Sequence, residues 1–266
     1  MKLSKAEVRY FRSLSQKKIR QTERKFVLEG WRALKEVLNS PTKVELIAVL
    51  PRYLEDADYG KLLSTIETRG IPIKEIEEVQ LRQIADTVHA QGVVAIAQQK
   101  HDSLGGLRLE RTSLIVAADA VSDPGNLGSM IRSSDWFNVD AFLLGRGCVE
   151  LYNEKVIRST VGSIFHLPIV EAVDLPSVLK DLGSKGFSVV GFSGDGKMEY
   201  TKRQVSPREI FVFGSEAHGF SREVKSAIDE VVRIPRYGKA ESLNVGVACG
   251  IVLAYARTLQ EQKKGS

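Results

Sequence analysis

The sequence predicts an α/β protein in two parts: a small basic α/β domain over residues 1–100, then a larger one over 113–266 with a mostly parallel sheet carrying helices on both faces. Three observations lead there. Short apolar runs alternate with helical stretches along nearly the whole chain. In the second half the runs LIVAA, AFLLG, FSVVGFS and IFVFG are apolar almost throughout, as strands covered on both faces must be. Between the halves, KHDSLGGLRLERT is polar, charged and carries Gly105-Gly106, which marks 101–112 as a linker.

Taken in order, residues 4–25 read as helical and basic, and FVLEG at 26–30 as a short strand closed by glycine. A helix over 31–39 stops before Pro41. Strand 44–50, helix 59–69, a short strand at 71–74, helix 79–85 and strand 93–98 complete the first series. The second begins with strand 114–118 and continues with helix 126–137, strand 141–145, helix 153–163, strand 167–170 and helix 175–183. Strands 187–193 and 210–214, helix 221–229, strand 231–235 and a long helix from Ser242 follow, with an irregular tail from Gln262.

The 266 residues are 43% hydrophobic and 27% charged, a composition that supports a sizeable core. The net charge of +5 is unevenly placed. Residues 1–25 hold nine basic side chains against Glu7 and Glu23, a net of +7, so the remainder sums to −2. Such a segment points either to a polyanion partner, most often nucleic acid, or to a merely solvated face; Lys17, Lys18, Arg20, Arg24 and Lys25 are the candidate contacts. Cys148 and Cys249 make no disulfide framework and no metal spacing, consistent with a reducing cytoplasm. The N-terminus lacks the apolar core of a signal peptide, no run is long enough to cross a bilayer, and the scattered His89, His101, His166 and His218 suggest no metal.

Three strand-end loops carry the chemistry-bearing residues. In DAVSDPGNLGSMIRSSDWF, a Pro-Gly turn after strand 114–118 leads into a helix with Asn126 at the N-cap position, and Arg132 follows the small residues Gly128 and Ser129. Side chains lean toward a helix N-terminus, so the guanidinium is expected to lie back toward Asn126; the alternative is an ordinary capped helix with a solvated arginine. FGSEAHGFS places Phe213, Gly214, Glu216 and Gly219 at a strand end, where glycines admit close backbone approach. In IPRYGKAESLNVGVACG, Ser242 reads as an N-cap that leaves Asn244 inside the first turn, ahead of a helix rich in small residues. GDGKM lacks the spacing of a P-loop, and LLGRG lacks that of a dinucleotide-binding turn.

NLGSMIR as N-x-G-x-x-x-R, FGSEAHG as G-x-E-x-x-G and IPRYGKAESLNV as I-P…S-L-N-V resemble, in order and spacing, the three motifs of the SpoU (TrmH-like) RNA 2′-O-ribose methyltransferases of the SPOUT superfamily. SQKKIRQTERKFVLEG and QGVVAIA are similar to the substrate-binding domain many of these enzymes carry, an α/β RNA-binding domain resembling a ribosomal-protein fold. The resemblance implies a deep trefoil knot, an S-adenosyl-L-methionine site inside it, a homodimer sharing its active sites, and structured RNA as substrate, ribosomal RNA of the 23S type foremost. A transfer RNA ribose methyltransferase and a non-catalytic RNA-binding or ribosome-assembly protein are the alternatives. By position, Phe213, Gly214, Gly219, Ile234 and Leu243 would bind the cofactor, and Asn126, Arg132, Glu216, Ser242 and Asn244 would surround the ribose. The chain departs from the family at Arg236, where methionine is common, and at Gly246, where serine is.

Overall fold

The computed structural model describes residues 1–85 and 91–264, and the chain divides into two compact units, residues 1–100 with 152–165 and residues 101–151 with 166–266. His89 and the end of the tail at 265 and 266 lie outside the described residues. The first unit contains α1 (Lys5–Ser13), α2 (Lys17–Glu23), β1 (Lys25–Glu29), α3 (Trp31–Leu38), β2 (Val44–Val49), α4 (Gly60–Thr68), β3 (Ile73–Glu75), α5 (Glu78–Ile84) and β4 (Val93–Gln98). Its sheet has the order β1-β4-β2-β3, with β4 antiparallel to both neighbours and β3 parallel to β2. Helix α1 starts in a reciprocal cap between Ser4 and Glu7 and buries Val8 and Phe11, which with Leu14 pack against Leu81, Val94 and Ile96.

The stretch 4–25, expected to be helical, forms two helices with a turn between α1 and α2. Arg20 holds this turn: its Nη1–H donates to the carbonyls of Leu14 at 2.9 Å and Ser15 at 2.5 Å, and the side chain is only 3% exposed. Carbonyls that an uninterrupted helix would have satisfied internally are satisfied by the guanidinium instead.

The second unit opens with β5 (Leu114–Ala118), α6 (Pro124–Trp136) and β6 (Ala141–Gly145). The chain then contributes α7 (Glu154–Thr160) to the first unit and returns for β7 (Ile169–Val173), α8 (Leu175–Ser184), β8 (Ser188–Phe192), β9 (Met198–Glu199), β10 (Glu209–Phe213), α9 (Arg222–Lys225), β11 (Glu230–Arg233) and α10 (Val245–Lys264). All seven strands are parallel, in the order β7-β6-β5-β10-β8-β11-β9. Ile115, Ala117, Leu143, Val189, Ile210 and Val212 form part of the core on one side.

Two expectations change here. The segment 101–112 forms two short 3₁₀ turns, and Leu104, Leu107 and Leu109 pack against the core of the second unit; its polar composition concealed three anchoring leucines. The last helix runs to Lys264 rather than fraying from Gln262.

The sheet order places the functional loops. From β5 the chain builds β6 and β7 toward one edge, while β10 and β8 lie on the other side, so β5 and β10 flank the point where the winding reverses. In open α/β sheets ligands bind outside the C-terminal ends of the strands at such a point, so the crevice expected there is the candidate site. Ala118 pairs with Phe213, Phe213 with Phe192 and Phe192 with Val232, so β5, β10, β8 and β11 end nearly level.

Candidate active site

The first wall of the crevice is the start of α6. Asp123, not Asn126, is its N-cap: Asp123 Oδ1 accepts the Asn126 backbone N–H at 2.8 Å, and Pro124 occupies the first helical position, where no amide is needed. Asn126 is thereby moved into the first turn, with its side-chain amide free of capping. The third wall shows the same kind of shift. Helix α10 begins at Val245, and Asn244 Oδ1 accepts the Val247 N–H at 3.1 Å, so Asn244 rather than Ser242 does the capping. Aspartate and asparagine satisfy the orphan amides of a first turn as well as serine does, and the motifs offered both.

The second wall follows β10. Ser215 and Gly219 exchange two backbone hydrogen bonds, of 3.0 and 2.8 Å, with Gly219 at φ +66°, which closes a tight loop around Glu216. A Cβ at Gly214 would lie 2.4 Å from the Gly219 carbonyl carbon and 2.7 Å from the Phe220 nitrogen, so only glycine lets the two backbones lie this close. Asp119, 5% exposed, fixes this loop to β5: its N–H donates to the Phe213 carbonyl at 2.8 Å and its Oδ2 accepts the Ser221 N–H at 2.7 Å. Sequence reasoning gave Asp119 no role. The signal was an acid directly after a buried strand.

The three walls meet in one hydrogen-bonded row. Asn244 Nδ2–H donates to Asn126 Oδ1 at 2.7 Å, and Asn126 Nδ2–H donates to Glu216 Oε1. With its Oδ1 held by Val247, Asn244 can present only its amide hydrogens to Asn126, which in turn fixes the Asn126 amide toward Glu216. Residues 118 positions apart in sequence are thus oriented by one another. Helix α10 reaches this position by lying against α6: a Cβ on Gly246 would sit 3.0 Å from Ser129 Cβ, and one on Gly250 would sit 3.5 Å from Ser133 Oγ. Close helix packing accounts for glycine at 246. It also gives Ser129 a packing reason to be small, beyond clearing a path for Arg132.

The remaining candidates are placed as follows. Arg132 is exposed and, among the described residues, makes no hydrogen bond or ion pair; none joins it to Asn126. Ser242 is exposed, Leu243 is 49% exposed, and Ile234 is half-buried at the end of β11. The Phe213 ring is buried and stacked on Phe192 with centroids 5.1 Å apart, so only its backbone faces the crevice. Arg236 Nη1 donates to the Ala240 carbonyl at 3.4 Å and braces the loop. Cys148 lies near the site: its thiol donates to the Ala118 carbonyl at 3.3 Å, and burial, reinforced by the charges of Asp119 and Glu216, pushes it up to about 11. Among the described residues, no group of three or more acids, histidines or cysteines could hold a metal ion, and no helix is long and apolar enough to cross a membrane.

Of the basic side chains expected to meet RNA, Lys17, Lys18 and Arg24 are exposed. Arg20 is not available, since it is buried in the turn between α1 and α2. Lys25 is committed to Glu45 at 2.7 Å and lies 5.8 Å from the Tyr10 ring centroid. Basic composition could not distinguish these two from their exposed neighbours.

A profile of the SpoU rRNA Methylase family matches residues 113–254, which contain all three walls. The chain belongs to the SpoU rRNA methylase family. Residues 5–95 of this SpoU methylase match the MRM3-like substrate binding domain. It is 32% identical over 251 residues to the 23S rRNA (guanosine(2553)-2′-O)-methyltransferase of Bacillus subtilis, covering 94% of this chain and 96% of that one. It is 34% identical over 190 residues to a longer Mycobacterium ulcerans protein named as an uncharacterized tRNA/rRNA methyltransferase, covering 70% of this chain and 61% of the relative. Among solved structures, the AdoMet-bound rRNA methyltransferase of Sinorhizobium meliloti superposes with a TM-score of 0.85 at 28% identity, over 97% of each chain.

Proposed function

We propose that this SpoU methylase transfers the methyl group of S-adenosyl-L-methionine to a ribose 2′-hydroxyl in ribosomal RNA of the 23S type. The observation that carries the reading is the Asn244–Asn126–Glu216 row at the C-terminal ends of β5 and β10. The Bacillus subtilis relative, similar over nearly the full length of both chains, is named for this reaction, and the Sinorhizobium meliloti structure is named for the cofactor. The site suits such a cofactor. Gly214, where a Cβ would collide with the Gly219–Phe220 backbone, keeps the loop after β10 closed tightly at the strand end, and Gly219, Ile234 and Leu243 border the same loops. Phe213 contributes through its backbone.

When bound, S-adenosylmethionine supplies a methyl group already activated on a sulfonium. The protein's task is to align a weak nucleophile and stabilise charge on its oxygen. Glu216 Oε1 is held by Asn126, which leaves the second carboxylate oxygen to accept from a ribose hydroxyl. Asn244 and Ser242 border the same pocket from the third wall. Arg132, exposed and without a partner among the described residues, serves as cation toward the alkoxide or the adjacent phosphate, because a guanidinium has donors and no acceptor and is ill suited to act as a base. The exposed Trp136, 82% accessible on α6, and Val247, 50% on α10, support a homodimer that buries these helices and brings Arg132 to a partner's site. The trefoil knot and a cytoplasmic location belong to the same reading.

Transfer of labelled methyl from S-adenosylmethionine to unmodified ribosomal RNA tests it. Label is expected in 2′-O-methylnucleoside and is expected to vanish with Arg132→Ala. Activity confined to transfer RNA, or binding of RNA with no cofactor binding, would favour the alternative readings.

A further inference from the structure

We propose that the groove between α1 and α5 seats the phosphate backbone of the substrate RNA, with Arg9 and Arg12 as its principal contacts. This deepens the proposed function and rests on that reading. Lys5, Arg9 and Arg12 recur at helical spacing on α1, along the flank of the stripe that buries Val8 and Phe11. All three are exposed and, among the described residues, none makes a hydrogen bond or ion pair. Four other cations of the unit are committed within the fold: Arg20 to the turn, Lys25 to Glu45, Lys74 to Glu7, and Arg52 to Glu78. The α1 row is therefore a basic surface whose charge is not spent internally.

A cavity lies beside that row. It measures about 440 Å³ and is lined by Arg9, Arg12, Ser13, Gln16, Gln83 and Glu154, with Ile84 and Ala85 closing it from α5. The lining supplies two guanidinium forks and neutral amide and hydroxyl groups against one carboxylate, Glu154, a donor-rich surface suited to phosphate and sugar oxygens. Lys5 to Arg12 spans about 10 Å of helix axis, comparable to three nucleotides of a stacked strand at about 3.4 Å each. A row of cations beside a polar groove fits a linear polyanion. The groove lies wholly within the first unit, and all its lining residues except Glu154 fall in the segment 5–95 that matches a substrate-binding domain.

The test is binding of the full chain to unmodified ribosomal RNA transcribed in vitro, followed by fluorescence anisotropy across a salt series. Arg9→Gln with Arg12→Gln should lower affinity about tenfold at 0.1 M salt and flatten the log–log salt dependence by about 1.5, the loss of two phosphate contacts. Affinity for S-adenosylmethionine, read by calorimetry, should stay unchanged, which shows that the cofactor-binding unit is intact. Arg9→Lys with Arg12→Lys should retain the slope. A control pair on other exposed helix positions, Lys35→Gln with Lys61→Gln, should change affinity less than twofold. The groove is overturned if the arginine variant binds RNA with the parent's affinity and slope, or loses no more than the control pair. Failure of the parent chain to bind ribosomal RNA at all overturns the methylation reading itself, and the groove with it.

Discussion

Gly214→Ala tests whether the loop after β10 is built for close backbone approach. The added Cβ would lie 2.4 Å from the Gly219 carbonyl carbon, 2.5 Å from its oxygen and 2.7 Å from the Phe220 nitrogen. Carbon contacts settle near about 3.5 Å, so the two backbone segments must part by about 1 Å. All three atoms are main chain, and no rotamer change can relieve the clash. Overpacking of this kind costs about 1–3 kcal/mol, and opening the Ser215–Gly219 pair forfeits two hydrogen bonds at roughly 1 kcal/mol each. Relaxation falls on the loop, which carries Glu216 away from Asn126. A loss of about 2 kcal/mol of binding energy corresponds to roughly a thirtyfold weaker affinity for S-adenosylmethionine. Calorimetry measures this, with Gly238→Ala as control, because nothing lies within 4 Å of a Cβ there. Unchanged affinity in Gly214→Ala, or equal damage from Gly238→Ala, would refute the reasoning.

Other outcomes follow from the same geometry. Asn126→Asp replaces the amide donor facing Glu216 Oε1 with a second carboxylate, so methyl transfer should fall on the order of a hundredfold or more while cofactor affinity changes little; steady-state kinetics beside calorimetry separates the two. Gly246→Ala should lower stability by about 1–2 kcal/mol, because its Cβ meets Ser129 Cβ at 3.0 Å, and Ser129→Gly should restore most of the loss in denaturant titrations. The Lys74 ammonium and the capping Ser4 hold Glu7 down from 4.5 to about 2, so its stabilisation is present above pH 4.5 and lost as pH falls toward 2. The Glu7 side chain is 27% exposed, so screening trims the linkage ceiling of about 3 kcal/mol to about 1 kcal/mol. Glu7→Gln should abolish that part of the acid dependence, as measured by unfolding at pH 4.5 and pH 3.

The alternation of apolar runs was enough to place nearly every strand of the second sheet, because β5, β6, β8 and β10 are buried on both faces and tolerate little polarity. Helix starts were read less well. Asp123 and Asn126 are both good caps, as are Ser242 and Asn244, and only tertiary contact decides which side chain turns inward to the amides. That ambiguity mattered for function, since the displaced Asn126 and the capping Asn244 became the row that joins to Glu216. The basic N-terminus was legible as a charge and not as a surface: Arg20 and Lys25 are spent inside the fold, whereas Arg9 and Arg12 border an open groove. The leucines of 101–112 were hidden by their polar neighbours, and contacts from 152–165 to the first unit have no local signature at all.

The most direct measurement of the central claim is the chemical position of the transferred methyl group. Unmodified 23S ribosomal RNA is incubated with the protein and labelled S-adenosylmethionine, digested to nucleosides, and mapped for 2′-O-methylation. Label confined to 2′-O-methylribose at a discrete nucleotide, and lost with Asn126→Asp, is the predicted result. Label on a base, or equal transfer by the Asn126→Asp chain, would contradict the assignment of the Asn244–Asn126–Glu216 row to ribose methylation.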